Sequence, residues 1–202
     1  MKLPYIDQWQ ACQRCGAPFG LLQCTECNDF SLSDSGRDSL PFDACVSAVL
    51  FNDASASIVK GCKDAGEQGL SDFMGYCIAC AVPPEWVDGG VCITSVPATK
   101  KVRDARGFDH GNAIAHAAAG YLGLDCAQLL EAGHAKDQRA LNRKQRFQNT
   151  QDRFRICRSC SGMDVVLVDD VYTTGATLCA AADALKEGGV RSVKCATFAH
   201  VY

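Results

Sequence analysis

The sequence predicts an α/β fold: a parallel sheet flanked by helices, with a small cysteine-bearing module in front. Three observations carry this. Short apolar runs alternate with helix-like segments along most of the 202 residues, and strands joined by crossover helices form parallel sheets. Four consecutive apolar residues, Val165 to Val168, lead into a small-residue turn and then a helical pattern from Leu178 to Glu187. A short, mostly β-branched run of this kind suits a strand covered on both faces. Two Cys-x2-Cys turns, Cys12/Cys15 and Cys24/Cys27, fall within the first thirty residues, a length that buries little core of its own.

Taken in order, residues 1–30 read as the cysteine module, 31–43 (SLSDSGRDSLPFD) as a polar linker, and 44–202 as the α/β domain. The stretch ACVSAVLFN (44–52) is strand-like. Ser57–Lys63 and Leu70–Ala81 carry helical patterns, parted by a Gly-containing break at 64–69 and closed by Pro83-Pro84. Val91–Val96 predicts a short buried strand. Pro97–Phe108 lacks apolar periodicity and holds Lys100, Lys101, Arg103 and Arg106, so it reads as a basic loop. Ala-rich His110–Leu122 predicts a helix. Asp125–Glu131 predicts another strand and Gln138–Asn149 a polar helix. Strands then open at Val165 and Val193, either side of the helix from Leu178.

Each Cys-x2-Cys turn presents two thiolates, and Gly16 suits the first of them. Two turns supply the four sulfurs of a closed tetrahedral Zn²⁺ site. Iron fits the same donors, and a redox dithiol is the other reading. Of the 14 cysteines, the pairs Cys77/Cys80 and Cys157/Cys160 read as core packing, with a second metal site or a redox pair as the alternative, and Cys45, Cys62, Cys92, Cys126, Cys179 and Cys195 read as core or half-buried thiols in their apolar surroundings. The opening MKLPYIDQWQ lacks a signal-peptide core, and no apolar run reaches membrane-spanning length. The expectation is a cytoplasmic protein with reduced or metal-bound thiols and no membrane insertion. Net charge is −3, but unevenly spread. Residues 1–99 carry 5 basic and 12 acidic side chains, whereas 136–158 carry 8 basic and 2 acidic. Anions gather where one sign of charge dominates.

The chemistry concentrates at VVLVDDVYTTGAT (165–177). Asp169 and Asp170 close the apolar run, where carboxylates accept hydrogen bonds from a diol or face hydrated Mg²⁺. Thr173, Thr174, Gly175, Ala176 and Thr177 then offer hydroxyls and backbone N–H groups where a helix begins, a setting for a phosphate monoester. Together they describe a ribose 5-phosphate cradle. No Gly-x4-Gly-Lys-Ser/Thr and no Gly-x-Gly-x2-Gly pattern occurs, which removes support from ATP-type and dinucleotide readings.

This run resembles the signature of the type I phosphoribosyltransferases, which bind 5-phosphoribosyl-1-pyrophosphate (PRPP). The four-cysteine module in front narrows the resemblance to the ComF family, associated with competence and DNA uptake. It extends over nearly the whole chain: the two Cys-x2-Cys turns, Lys63-Asp64-Ala65-Gly66-Glu67, Val96-Pro97, Arg103-x2-Arg106-Gly107-Phe108, Gln138-x2-Leu141 and Arg146-x2-Asn149. Two positions depart from the family pattern, Asp109 in place of Asn and Ala135 in place of Thr.

The resemblance implies a type I phosphoribosyltransferase fold with Cys12, Cys15, Cys24 and Cys27 holding structural Zn²⁺. Asp169 and Asp170 take the ribose hydroxyls, and Thr173 to Thr177 take the 5-phosphate. Lys63 belongs to the pyrophosphate-binding turn, and Arg103 and Arg106 to a loop that closes over the leaving group. Mg²⁺ arrives with PRPP, held mostly by pyrophosphate and water. Thr173 stands where purine-salvage relatives carry an Asp, which makes a 6-oxopurine acceptor less expected. His110, His116 and His134 are further acid–base candidates, set against a surface or core role for each. The function expected is PRPP binding, or transfer of its phosphoribosyl group to an acceptor the sequence does not name. The alternative is a non-catalytic PRPP- or nucleotide-binding adaptor working with DNA-uptake or recombination proteins. Arg139, Arg143 and Arg146 share one helical face by spacing. That face suits weak single-stranded nucleic-acid binding, a solvated surface or help in holding PRPP.

Overall fold

The computed structural model describes residues 3–8, 11–12, 14–16, 39–64, 67–133 and 153–201. In chain order these form β1 (Ala44–Leu50), α1 (Asp53–Asp64), α2 (Gln68–Ala81), a 3-10 turn (Pro84–Trp86), β2 (Cys92–Ser95), α3 (Lys100–Arg106) and α4 (His110–Leu122). They continue with β3 (Asp125–Cys126), β4 (Leu130–Ala132), β5 (Phe154–Ile156), β6 (Asp164–Tyr172), α5 (Ala176–Glu187) and β7 (Ser192–His200). Five strands make one parallel sheet in the order β1-β7-β6-β2-β3, as the alternating pattern predicts. β4 and β5 pair antiparallel beside it.

The sheet is covered on both faces, which is why β6 and β7 read as nearly unbroken apolar runs. Side chains alternate along β6. Val165 and Leu167 join Leu178, Ala181 and Leu185 of α5, whereas Val166 and Val168 join Met74 and Ile78 of α2 and Ile114 and Ala118 of α4. The α2–α4 crossing is tight at Gly75, where an added Cβ would lie 2.5 Å from the Ala117 Cβ, 2.8 Å from the Ala118 nitrogen and 2.9 Å from the Ile114 oxygen.

Three details depart from the sequence reading. The basic segment is helical over Lys100–Arg106: Thr99 caps its start, accepting from the Val102 N–H at 3.4 Å, and Gly107 ends it with φ 74°. β5 lies inside the basic block and had no periodicity to announce it. Leu40 and Phe42, within the stretch read as linker, are core residues in contact with the α5 face. The predicted polar helix at 138–149 lies outside the described residues.

The N-terminal residues run antiparallel along the free edge of β1. The Ile6 N–H donates to the Ala48 oxygen at 3.0 Å, and the Leu50 N–H to the Pro4 oxygen at 2.8 Å. Among the described residues, no helix is long and apolar enough to cross a membrane.

His200, at the end of β7, is 5 % exposed and lies against the Tyr172 ring, centroids 4.2 Å apart. Burial pushes its pKa down to about 4, against an ordinary value of about 6.5 in the unfolded chain. Between those values the unfolded state holds more protons, so stability falls as pH drops through that window. His200→Gln is expected to flatten this part of the stability profile, a difference of order 3 kcal/mol across the window. Denaturant melts between pH 4 and 7 measure it, and an unchanged slope contradicts it.

Candidate functional site

The acid pair lies within β6 rather than beyond it, one residue on each face. Asp170 points with Val166 and Val168 toward α1 and α4. Lys63, in the last turn of α1, forms an ion pair with its Oδ2, and the Nε2 of His110, the first residue of α4, lies 3.5 Å from the same oxygen. Burial works against the Asp170 charge, but His110 and Lys63 outweigh it and hold the carboxyl well below its ordinary range. Asp169 faces the α5 side, in register with Thr197 and, one strand further, Ser47. The hydroxyls of Thr197 and Ser47 are 2.7 Å apart and buried. Burial, and then the neighbouring Asp170 charge, push the Asp169 carboxyl up, although the Asp170 backbone N–H donates to its Oδ1 at 2.9 Å. The two acids are therefore unlike: one is a fixed anion, the other shares the pair's charge less readily.

Local sequence brings these groups together. Asn52 caps α1, accepting from the Ala54 and Ser55 N–H groups at 3.0 Å, and the helix then delivers Lys63 to the end of the sheet. Gly107 turns the chain from α3 into α4, whose start Asp109 caps by accepting from the Asn112 N–H at 3.1 Å. The Asp at this departure from the family pattern thus has a defined contact. Gly111 lets α4 approach the end of β2, since a Cβ there would lie 2.9 Å from the Val96 oxygen. That approach seats His110 against Asp170.

Of the predicted basic residues, Lys63 reaches the acid pair directly. Arg106 reaches it through His110, its Nη1 3.5 Å from His110 Nδ1. Arg103, half-buried on α3, makes no ion pair with either acid among the described residues. His110 therefore belongs to the site. His116 is exposed on α4, and His134 lies outside the described residues.

Beyond the acids, Thr173 and Thr174 are exposed and Gly175 takes φ 74° as the N-cap of α5. The Gly175 oxygen accepts from the Cys179 N–H at 2.8 Å, and the Thr174 hydroxyl oxygen accepts from the Ala176 N–H at 3.4 Å. Gly175 at the N-cap has no side chain to cap the helix, and Ala176 and Thr177 open its first turn, where N–H groups point away from the helix body.

The first Cys-x2-Cys turn has the geometry its Gly16 suggested. Gly16 has φ 75° and donates its N–H to the Cys12 oxygen at 2.7 Å. Its α-carbon packs against β1, where a Cβ would lie 3.0 Å from the Cys45 oxygen. Cys24 and Cys27 lie outside the described residues. In each remaining Cys-x2-Cys pair one thiol is core and one exposed: Cys77 with Cys80, and Cys160 with Cys157.

A parallel sheet whose strand-end acids precede an open helix turn defines a phosphoribosyltransferase-type domain, and residues 115–201 match the family model described as the phosphoribosyl transferase domain. The chain is 26% identical over 186 residues to competence protein ComFC of Bacillus subtilis (strain 168), covering 88% of this chain and 72% of the relative. It is 30% identical over 104 residues to DNA utilization protein YhgH of Salmonella typhi, covering 50% of this chain and 46% of that protein. These matches, with the sequence pattern described above, make the chain similar to the ComF proteins. Among solved structures, the allosteric regulatory enzyme of purine biosynthesis aligns with a TM-score of 0.46 at 19% identity, over 63% of this chain and 25% of that one. The chain thus spans about half the length of YhgH and a quarter of the purine enzyme.

Proposed function

We propose that this protein binds PRPP with Mg²⁺ and transfers the phosphoribosyl group to an acceptor, in a setting of competence or DNA use like that named for its relatives. The observation that supports the reading best is the convergence of Lys63 and His110 on Asp170, a few residues before the open turn at Gly175. Asp169 and Asp170 accept hydrogen bonds from the ribose hydroxyls. The N–H groups opening α5, with Thr173, Thr174 and Thr177, hold the 5-phosphate. Lys63 and Arg106 face the pyrophosphate, whose departure takes the electrons of the C1–O bond while an acceptor lone pair forms the new bond. Fixed cations aimed at that developing charge lower the barrier. The acid pair fits a hydrated Mg²⁺, which supplies further charge neutralisation when it is bound with the pyrophosphate.

The test is a PRPP-dependent pyrophosphate-release screen over bases, nucleotides and single-stranded DNA. Release with one acceptor class is the expected result. Tight PRPP binding with no turnover across the panel supports the adaptor reading instead, and no PRPP binding removes the transferase reading and the PRPP-binding form of the adaptor. The basic residues Arg139, Arg143 and Arg146, candidates for nucleic-acid contact, lie outside the described residues.

We also propose that Cys12, Cys15, Cys24 and Cys27 hold one structural Zn²⁺, the tight Cys12–Gly16 turn being suited to a pair of thiolates. Elemental analysis is expected to find one zinc per chain, lost in Cys12→Ser and Cys27→Ser. Metal-free protein prepared without chelator contradicts this, and iron in place of zinc corrects the metal.

A further inference from the structure

We infer that Lys63 makes the site selective for ribosyl ligands that carry a second anionic group at C1, by holding Asp170 until that group draws the ammonium away. This rests on the PRPP reading and deepens it. Asp170 is 5 % exposed and Asp169 half-buried, so the pair has few free directions from which to accept a diol. The Asp170 oxygen Oδ2 is engaged by the Lys63 ammonium and faced by the His110 ring. A hydroxyl that bonds to this carboxylate must take the place of one of them. His110 is fixed by the capped start of α4 and by the close approach at Gly111. Lys63 sits instead on the last turn of α1, with its side chain 28% exposed, and its long stem can swing.

The two classes of ligand then differ. Ribose 5-phosphate offers its hydroxyls to Asp170, but its phosphate is held at the α5 turn and it has no anionic group at C1 to receive Lys63, so binding costs an ion pair that is only partly solvated. PRPP carries both halves: its hydroxyls take Asp170 and its pyrophosphate takes the released ammonium. The exchange replaces one charge-assisted contact by two, and such contacts are among the stronger polar ones. Lys63 thus acts as a specificity-determining residue: it penalises the ligand that lacks the leaving group and rewards the one that has it.

The test is calorimetric titration of the whole protein with ribose 5-phosphate and with PRPP plus Mg²⁺, for wild type, Lys63→Gln and Lys63→Arg. In Lys63→Gln, ribose 5-phosphate is expected to bind as tightly as in wild type or more so, while PRPP weakens roughly tenfold or more. Lys63→Arg keeps the charge and is expected to keep the wild-type preference. Equal weakening of both ligands, or no change in either, overturns the exchange while leaving the PRPP reading in place. Wild-type protein that binds neither ligand overturns both. Should Lys63→Gln fail to fold, Lys63→Met provides the neutral variant with the stem preserved, read in the same way.

Discussion

Asp169→Asn combined with Asp170→Asn is expected to weaken PRPP and ribose 5-phosphate, by roughly ten- to a hundredfold for loss of the charged Asp170 and by less for Asp169, with the fold retained. Hydrogen bonds to a charged acceptor are worth about 1.5–3 kcal/mol each, and an amide keeps the shape while halving the acceptors and adding donors that oppose the hydroxyls. The singles are expected to differ. Asp170→Asn removes the anion that Lys63 and His110 both face, so it also frees Lys63. Asp169→Asn removes the acid already driven toward its neutral form by burial and by its neighbour, and should relieve repulsion within the pair. Circular dichroism establishes that each variant is folded, and calorimetry gives the affinities. A double variant that binds ribose 5-phosphate as well as wild type would sink the ribose assignment.

The second large effect is on stability. Gly75→Ala places a methyl 2.5 Å from the Ala117 Cβ and under 3 Å from two backbone atoms of α4. None of these is the end of a flexible side chain, so α2 and α4 must part. Overpacking of this kind costs about 1–3 kcal/mol, against a helix-propensity gain of about 1 kcal/mol for replacing glycine. A net loss of up to about 2 kcal/mol is expected, and a larger one for Gly75→Val. Gly120, also on α4, meets nothing within 4 Å, so Gly120→Ala should show the propensity gain alone. A thermal melt that ranks Gly75→Ala level with Gly120→Ala contradicts the tight crossing. Because α4 begins at His110, the Gly75 variants are also expected to loosen the His110–Asp170 contact and weaken ligand binding.

Much of the site was legible because its parts are contiguous. The β6 strand, the acid pair and the turn at Gly175 follow one another in sequence, and each has a residue-type signature. The span of α4 was legible from its alanine-rich pattern. What escaped was whatever depended on distant elements meeting. His110 could be singled out only as one of three histidines, since its partner Asp170 is sixty residues away and is brought near by the fold. The short α3 has no apolar stripe, although Thr99 and Gly107 are the ordinary marks of a helix start and stop. β5 is three residues long within a basic block, too short for an alternating pattern to stand out. Leu40 and Phe42 were hidden by the polar, proline-containing stretch around them, yet they pack into the core.

The antiparallel run of residues 3–8 along β1 has a consequence for solution behaviour. β1 is the outermost strand of the parallel sheet on its side, and its outward N–H and C=O groups would otherwise offer a template on which a second chain could add a strand. The bonds from Ile6 and to Pro4 occupy part of that template with the chain's own backbone. The same segment leads directly into the Cys12–Gly16 turn, which packs against Cys45 of the same strand. The Cys12–Gly16 turn therefore helps anchor the strap that shields the sheet border. Under the zinc proposal above, stripping the metal is expected to show first as clumping, before any loss of ligand binding.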